Sequence, residues 1–269
     1  MKVSLSTYRA RARESLKNQW GINAWIVFLS IFISAVIESI FGSVSNFPEG
    51  SVSQQVLTFV LNTFVLFGFT YALYYIGLFV LRGGKARPGM LMTIFQKEYY
   101  LPMLLLNLLN TIVNWLIGAV VFIPLLLSSG LTSYVELVIN NGASVTTAQS
   151  SVQSIDVTFI ILVLITTILS FLLMTIVGGL FQFAIWTKMD YPELTIRQCV
   201  GHAWFLLKDR LGRYILLQLS FIGWYIIGTI ALAIGLLWVM VYVNVTIAAF
   251  YDEARNEKSE HYFAELEAK

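Results

Sequence analysis

Residues 157–186 read VTFIILVLITTILSFLLMTIVGGLFQFAIW, an unbroken stretch without a single Asp, Glu, Lys or Arg. A helix rises about 1.5 Å per residue and the hydrocarbon core of a bilayer is about 30 Å thick, so roughly 20 apolar residues cross it. This stretch exceeds that length, and its polar residues form no stripe that could face water. Runs of the same kind lie at 24–44, 56–81, 101–127 and 214–250. The last is too long for one helix and reads as two, 214–232 and 236–250, joined by a turn near Gly235. The predicted fold is therefore all-α, a polytopic transmembrane helical bundle of about six spans. Composition agrees: 58% of residues are hydrophobic and 12% charged, against about 25% charged in soluble domains.

The cations are confined to alternate segments. Residues 1–22 hold Lys2, Arg9, Arg11, Arg13 and Lys17; residues 82–98 hold Arg82, Lys85, Arg87 and Lys97. Residues 187–213 hold Lys188, Arg197, Lys208, Arg210 and Arg213, and the tail 251–269 holds Arg255, Lys258 and Lys269. Together these are all 17 Lys and Arg of the chain. The segments 45–55 and 128–156 have none and carry only Glu49, Glu136 and Asp156. Lys/Arg-rich loops stay in the cytoplasm. The N-terminus and the segments 82–98 and 187–213 are thus expected inside, and 45–55 and 128–156 outside. The charged tail also falls inside if 214–250 is a hairpin. No apolar core of a signal peptide precedes residue 22, so the first span is expected to serve as an uncleaved insertion signal.

Two basic segments have amphipathic patterns. Leu5, Tyr8, Ala12 and Leu16 share one helical face, flanked by Arg9, Arg11, Arg13 and Lys17. Ile196, Val200, Ala203 and Leu207 share another, beside Arg197, Lys208 and Arg210, with His202 on the polar side and expected to be solvated. Both read as interfacial helices on an anionic inner leaflet, and these seven cations are the expected headgroup contacts. For the first segment a plain basic flank that orients the first span is the alternative. Trp20 and Trp25 fit the interfacial aromatic belt. Asp190-Tyr191-Pro192-Glu193 and Thr195-Ile196-Arg197-Gln198 both have capping-box spacing. The apolar stretch Met90–Phe95 after Pro88 is expected at the interface. The outer segment 128–156 reads as a connector with a turn at Asn140-Asn141-Gly142 and one short helix near Leu131–Ile139.

Within the spans, Glu38 is the one acid well inside an apolar run. Charged residues near a helix centre cost about 2.5–3.5 kcal/mol on insertion scales and mark functional sites by default. Glu38 is either a substrate or proton site or a hydrogen-bonded carboxyl near the outer interface. Asn107, Asn110, Thr111 and Asn114 fall within an arc of about 100° on the third span. This stripe must face another helix or a polar path, and Gln182, Gln218 and Asn244 are amides that could pair with it.

Several chemistries lack their parts. One cysteine, Cys199, and two histidines, His202 and His261, make a metal cluster unexpected. There is no Gly-rich phosphate loop, no His-Glu-x-x-His and no Ser-His-Asp set, so neither an enzyme nor a cofactor is expected. The basic segments follow the membrane surface and need no nucleic acid.

The ordered pieces Arg9-Ala10-Arg11-Ala12-Arg13-Glu14-Ser15-Leu16-Lys17, Gly84-Lys85-Ala86-Arg87, Asp190-Tyr191-Pro192, Leu219-Ser220-Phe221-Ile222-Gly223-Trp224, Ile234-Gly235-Leu236-Leu237-Trp238 and Ala249-Phe250-Tyr251 resemble domain-of-unknown-function family 975. That family comprises integral membrane proteins found mainly in Gram-positive bacteria. The resemblance implies six spans and a cell-membrane location but no catalytic residues. Ile176-Val177-Gly178 and Val241-Tyr242 stand where the family often has proline, so kinks are expected to be absent or softened there. The first functional expectation is a non-enzymatic protein that handles or senses lipid or a small amphiphile, or accompanies a membrane complex. The alternative is a small-solute or lipid transporter with a polar path through Glu38 and Asn107, Asn110 and Asn114.

Overall fold

A computed structural model describes residues 4–48, 50–127, 157–231 and 234–267. The expected connector at 128–156, with its turn and short helix, lies outside them. The elements are helical: α1 (Leu5–Ser15), α2 (Trp20–Ser45), α3 (Val52–Leu61), α4 (Phe67–Leu81), α5 (Lys97–Leu127), α6 (Val157–Asp190), α7 (Ile196–Leu207), α8 (Leu211–Leu219), α9 (Ile222–Ile230) and α10 (Gly235–Glu267). A π-helical turn, Asn62–Leu66, joins α3 to α4, and a 3₁₀ helix, Pro88–Phe95, precedes α5. Among the described residues, six stretches are long and apolar enough to cross a membrane: Trp20–Ser45, Val52–Leu81, Lys97–Val121, Ile160–Asp190, Ile196–Ile230 and Gly235–Ala264.

Two departures from the sequence expectation matter. The fifth candidate span begins at Ile196 because α7, α8 and α9 follow one another with only short interruptions. The tail is no separate appendage, because α10 runs unbroken from Gly235 to Glu267. Its residues Tyr251, Asp252, Ala254 and Ser259 are buried. Both α6 and α10 are continuous through the positions where proline is missing, as a helix with all its i→i−4 donors intact should be.

The chain divides into two compact units, Met1–Leu109 with Gly179–Lys269, and Asn110–Gly178. In the first, α10 is central and packs on α1, α2, α4, α7 and α9. Rings from four helices fill the space around it. Phe183 and Trp186 of α6, Tyr214 of α8 and Phe250 and Tyr251 of α10 are all essentially inaccessible. Tyr8 of α1 packs with its ring tilted against Phe250, 5.2 Å between centroids. The turn into α10 depends on two glycines. A Cβ on Gly235 would meet the Gly228 backbone at 3.0 Å, so the backbones of α9 and α10 approach as closely as at small-residue contacts in membranes. Deeper in, Gln182 of α6 donates to Asn244 Oδ1 at 3.2 Å, and Asn244 Nδ2 donates to the Leu73 carbonyl of α4 at 2.6 Å. Gly77 makes room for this amide, since a Cβ there would overlap the Asn244 side chain. The amides expected to join the asparagine stripe thus pair with each other, and Gln218 donates instead to Tyr214 Oη at 2.7 Å.

Much of the outward face of α2 is apolar. Trp25, Phe28, Ile31, Phe32, Val36 and Ile40 of α2 are exposed, whereas Asn23 and Ser30 of the same helix are buried. An arrangement with polar groups inside and large apolar side chains outside suits a solvent of lipid tails. The second unit contains the end of α5 and the start of α6. Trp115, Leu116, Val120 and Ile168 are among its exposed apolar residues. Thr167 Oγ1 donates to the Val163 carbonyl at 2.7 Å, which satisfies the hydroxyl without leaving the helix.

Candidate functional site

The cationic segments meet in the first unit through two carboxylates. Asp190, the last residue of α6, receives both terminal nitrogens of Arg82 at 2.7 and 2.8 Å, Tyr251 Oη at 3.0 Å and Arg255 Nη1 at 2.9 Å. Asp252 receives Arg11 Nη2 at 2.7 Å and Arg82 Nε at 3.2 Å, with Arg255 Nη2 at 3.5 Å. Arg82 therefore bridges the two acids with its whole guanidinium, and its paired contact with Asp190 is the bidentate geometry that makes arginine–carboxylate bonds strong. The acids' side chains are only 9% and 5% exposed. Partial burial works against the Arg82 charge, but the hydrogen bonds and charges of Asp190 and Asp252 outweigh it and hold its guanidinium above the ordinary arginine value. The expected capping box at Asp190 does not form, because its carboxyl is taken by these donors. The box at Thr195 and Gln198 is present.

Beside this lock, His202 of α7 is fully buried. Its Nδ1 lies 3.0 Å from Thr187 Oγ1 of α6 and its Nε2 3.0 Å from Ser259 Oγ of α10. Tyr191, Tyr262 and Phe263 pack around the ring. The expectation of a solvated histidine is overturned: the continuing α10 covers the α7 face on which His202 sits. A neutral imidazole offers one donor and one acceptor, and two hydroxyls meet both. The arrangement is a closed polar contact among three helices.

The amphipathic faces also serve the protein's own interior. Tyr8, Ala12 and Leu16 are buried, and α1 packs on α10 and α4; Ala203 and Leu207 of α7 are buried, and α7 packs on α10. These faces are therefore not presented to lipid. Of the seven expected headgroup contacts, Arg210 is buried and pairs with Glu253 at 3.5 Å and with Glu257, so it is not available. Arg11 is committed to Asp252. Arg9 lies 5.6 Å from the Phe221 ring centroid, with its Nε buried and without a hydrogen bond. Lys208 sits 4.9 Å over the Phe205 ring. Arg13, Lys17 and Arg197 are exposed and form no ion pair among the described residues.

Glu38 is exposed on α2 and accepts from Asn62 Nδ2 at 3.3 Å. Asn107 is buried, donates to the Thr63 carbonyl at 2.9 Å and accepts from Tyr71 Oη at 3.2 Å. Tyr100 Oη donates to the Phe64 carbonyl at 2.8 Å. These contacts explain the π turn. Widening a helix disturbs its i→i−4 ladder, and carbonyls so displaced in an apolar setting need outside donors. No hydrogen bond joins Glu38 to Asn107; they bind neighbouring residues of the π turn. In the second unit, Asn114 Nδ2 donates to Asn110 Oδ1 at 2.9 Å along the same helix. Among the described residues no three His, Cys, Asp or Glu side chains are grouped to hold a metal ion.

A family model described as "Protein of unknown function (DUF975)" matches residues 1–258. The chain belongs to the DUF975 family. No curated protein and no solved structure matches it. The DUF975 match takes in Arg11, Arg82, Asp190, Asp252 and Arg255, so the whole lock falls within it. Sequence reasoning did not single out these five as a group. The available signal was the position of Asp190 and Asp252 at the inner ends of long apolar runs, where each acid faces a cation-rich segment.

Proposed function

We propose that this DUF975 chain is a non-enzymatic, multi-pass protein of the bacterial cell membrane that holds anionic lipid at its cytoplasmic side, handling or sensing lipid or a small amphiphile or accompanying another membrane complex. One observation carries the reading. Arg11, Arg82, Asp190 and Asp252–Arg255 come from the four cation-bearing segments and touch one another. Groups in hydrogen-bond contact do not sit on opposite sides of a layer about 30 Å thick, which supports placing all four segments on one side. By the positive-inside rule that side is the cytoplasm. Exposed Arg13, Lys17, Lys85, Arg87 and Arg197 then face an anionic leaflet, where each Lys or Arg contributes about 1 kcal/mol.

Two measurements test this. A cysteine at position 145 should react with a membrane-impermeant maleimide in intact cells, and one at position 208 should react only after permeabilisation. The reverse pattern inverts the topology. Lipids co-purifying with the protein should be enriched in anionic over zwitterionic species. An unenriched lipid population, or a solute flux in reconstituted vesicles that Glu38→Gln abolishes, would replace this reading with the transporter.

A further inference from the structure

The cations left out of the lock are held in defined places. Ser15 Oγ at the end of α1 lies 2.9 Å from the Arg11 carbonyl of its own helix and 3.3 Å from the Leu81 carbonyl. Gln19 Nε2 donates to the Gly84 carbonyl at 3.2 Å, and Gln19 Oε1 accepts from the Ala86 amide at 3.3 Å. One glutamine side chain thus clamps the backbone on both sides of Lys85. Ala86 is buried, and Gly84 is pressed against the Phe79 ring so closely that a Cβ would overlap it. Lys17, Lys85 and Arg87 each lie within two residues of this clamp, and all three are exposed. None of their side chains has a hydrogen bond or ion pair among the described residues. Acids are scarce here. Residues 50–97 contain none, and Glu14, the acid nearest in sequence to Lys17, forms no ion pair. The clamp anchors the backbone beside these three cations, and their side chains form no ion pair, so like charge gathers at the junction of two helix ends and an anion would relieve it.

We propose that this junction of α1 with the loop after α4 is a binding site for the phosphate of an anionic phospholipid headgroup, held by Lys17, Lys85 and Arg87. The site rests on the reading that the cation-bearing segments border the inner leaflet. A lipid occupant, rather than a soluble anion, follows from the setting. The clamp opens directly into α2, whose exposed face begins with Trp25 and Phe28 stacked at 5.2 Å. On the other side, the 3₁₀ helix from Pro88 exposes Met92.

The test is native mass spectrometry of the full-length protein in detergent, titrated with phosphatidylglycerol or phosphatidylcholine. The wild type should retain phosphatidylglycerol preferentially. The variant Lys17→Gln/Lys85→Gln/Arg87→Gln should lose about tenfold or more of that retention, since each basic group near an anionic surface contributes a several-fold factor. Its phosphatidylcholine binding and melting temperature should be unchanged, Lys85→Gln alone should give a partial loss, and Arg197→Gln, a leaflet-facing cation away from the junction, a clearly smaller one. If the wild type prefers phosphatidylglycerol but the triple variant binds it equally, the junction is not the site while the broader reading stands. Equal loss from Arg197→Gln also overturns it, in favour of a diffuse field. Displacement by excess inorganic phosphate would assign the site to a soluble anion. A wild type without preference removes both the site and the reading beneath it.

Discussion

Arg82 and Arg87 lie five residues apart in one loop, carry the same charge and count equally toward topology. Their surroundings differ completely. Arg82 is spent on two nearly buried carboxylates and ties the end of α4 to α6 and α10, while Arg11 brings α1 to the same Asp252. Arg87, with Lys85 and Lys17, is exposed and has no acid to pair with. The difference teaches that positive charge has two separate uses in this molecule. Where a nearly buried carboxylate can be reached, it closes the fold. Where none is reached, it stays exposed and unpaired among the described residues.

The comparison can be broken most sharply at the lock. Asp190→Ala leaves Arg82, Arg255 and Tyr251 without their shared acceptor. It should cost about 3–5 kcal/mol, the range for breaking a buried pair from one side, read by denaturant unfolding in detergent micelles. A loss under 1 kcal/mol would mean that the lock is a surface feature. His202→Ala should cost about 2–4 kcal/mol, because it opens a cavity among Tyr191, Tyr262 and Phe263 and strands the Thr187 and Ser259 hydroxyls. The same unfolding assay checks it, and protease release of the α10 end should accelerate.

Asn107→Ala removes the donor to Thr63 and should cost about 1–3 kcal/mol, the penalty of a buried unsatisfied group. If Asn107 instead belonged to a transport path, the variant would keep its stability and change only flux. At the small end, Lys85→Gln should alter stability by no more than about 0.5 kcal/mol, as usual for an exposed unpaired side chain, while lowering anionic lipid retention. A large stability loss there would erase the distinction between the two classes of cation.

Much of the architecture was legible in the sequence. Apolar runs longer than a bilayer is thick appear as helices at Trp20–Ser45, Ile160–Asp190 and Gly235–Ala264, and the capping box at Thr195 forms. The turn near Gly235 is there because Gly228 and Gly235 allow backbone contact. The candidate site was less legible. Period alone cannot say whether the face of α1 or α7 covers lipid or the protein's own α10. The α7 face was read as lipid-facing and the α1 face as either that or a plain basic flank, yet Tyr8, Ala12, Leu16, Ala203 and Leu207 are buried in the protein. Glu38, the residue with the most conspicuous chemistry, contacts Asn62 on an exposed surface. Asp190, which the pattern treated as a cap, joins its own α6 to α10 and the end of α4.

Length, hydrophobicity and the placement of Lys and Arg belong to the chain as a string, and a bilayer selects on those quantities alone. They determined that this protein is helical and has six stretches suited to crossing a membrane. Which cations are neutralised, why His202 is buried and what supports the π turn depended on side chains far apart in sequence. Arg11 and Asp252, for instance, are separated by 241 residues. Hydrogen bonds and ion pairs act over only a few ångströms, so the tertiary structure alone decided these partnerships.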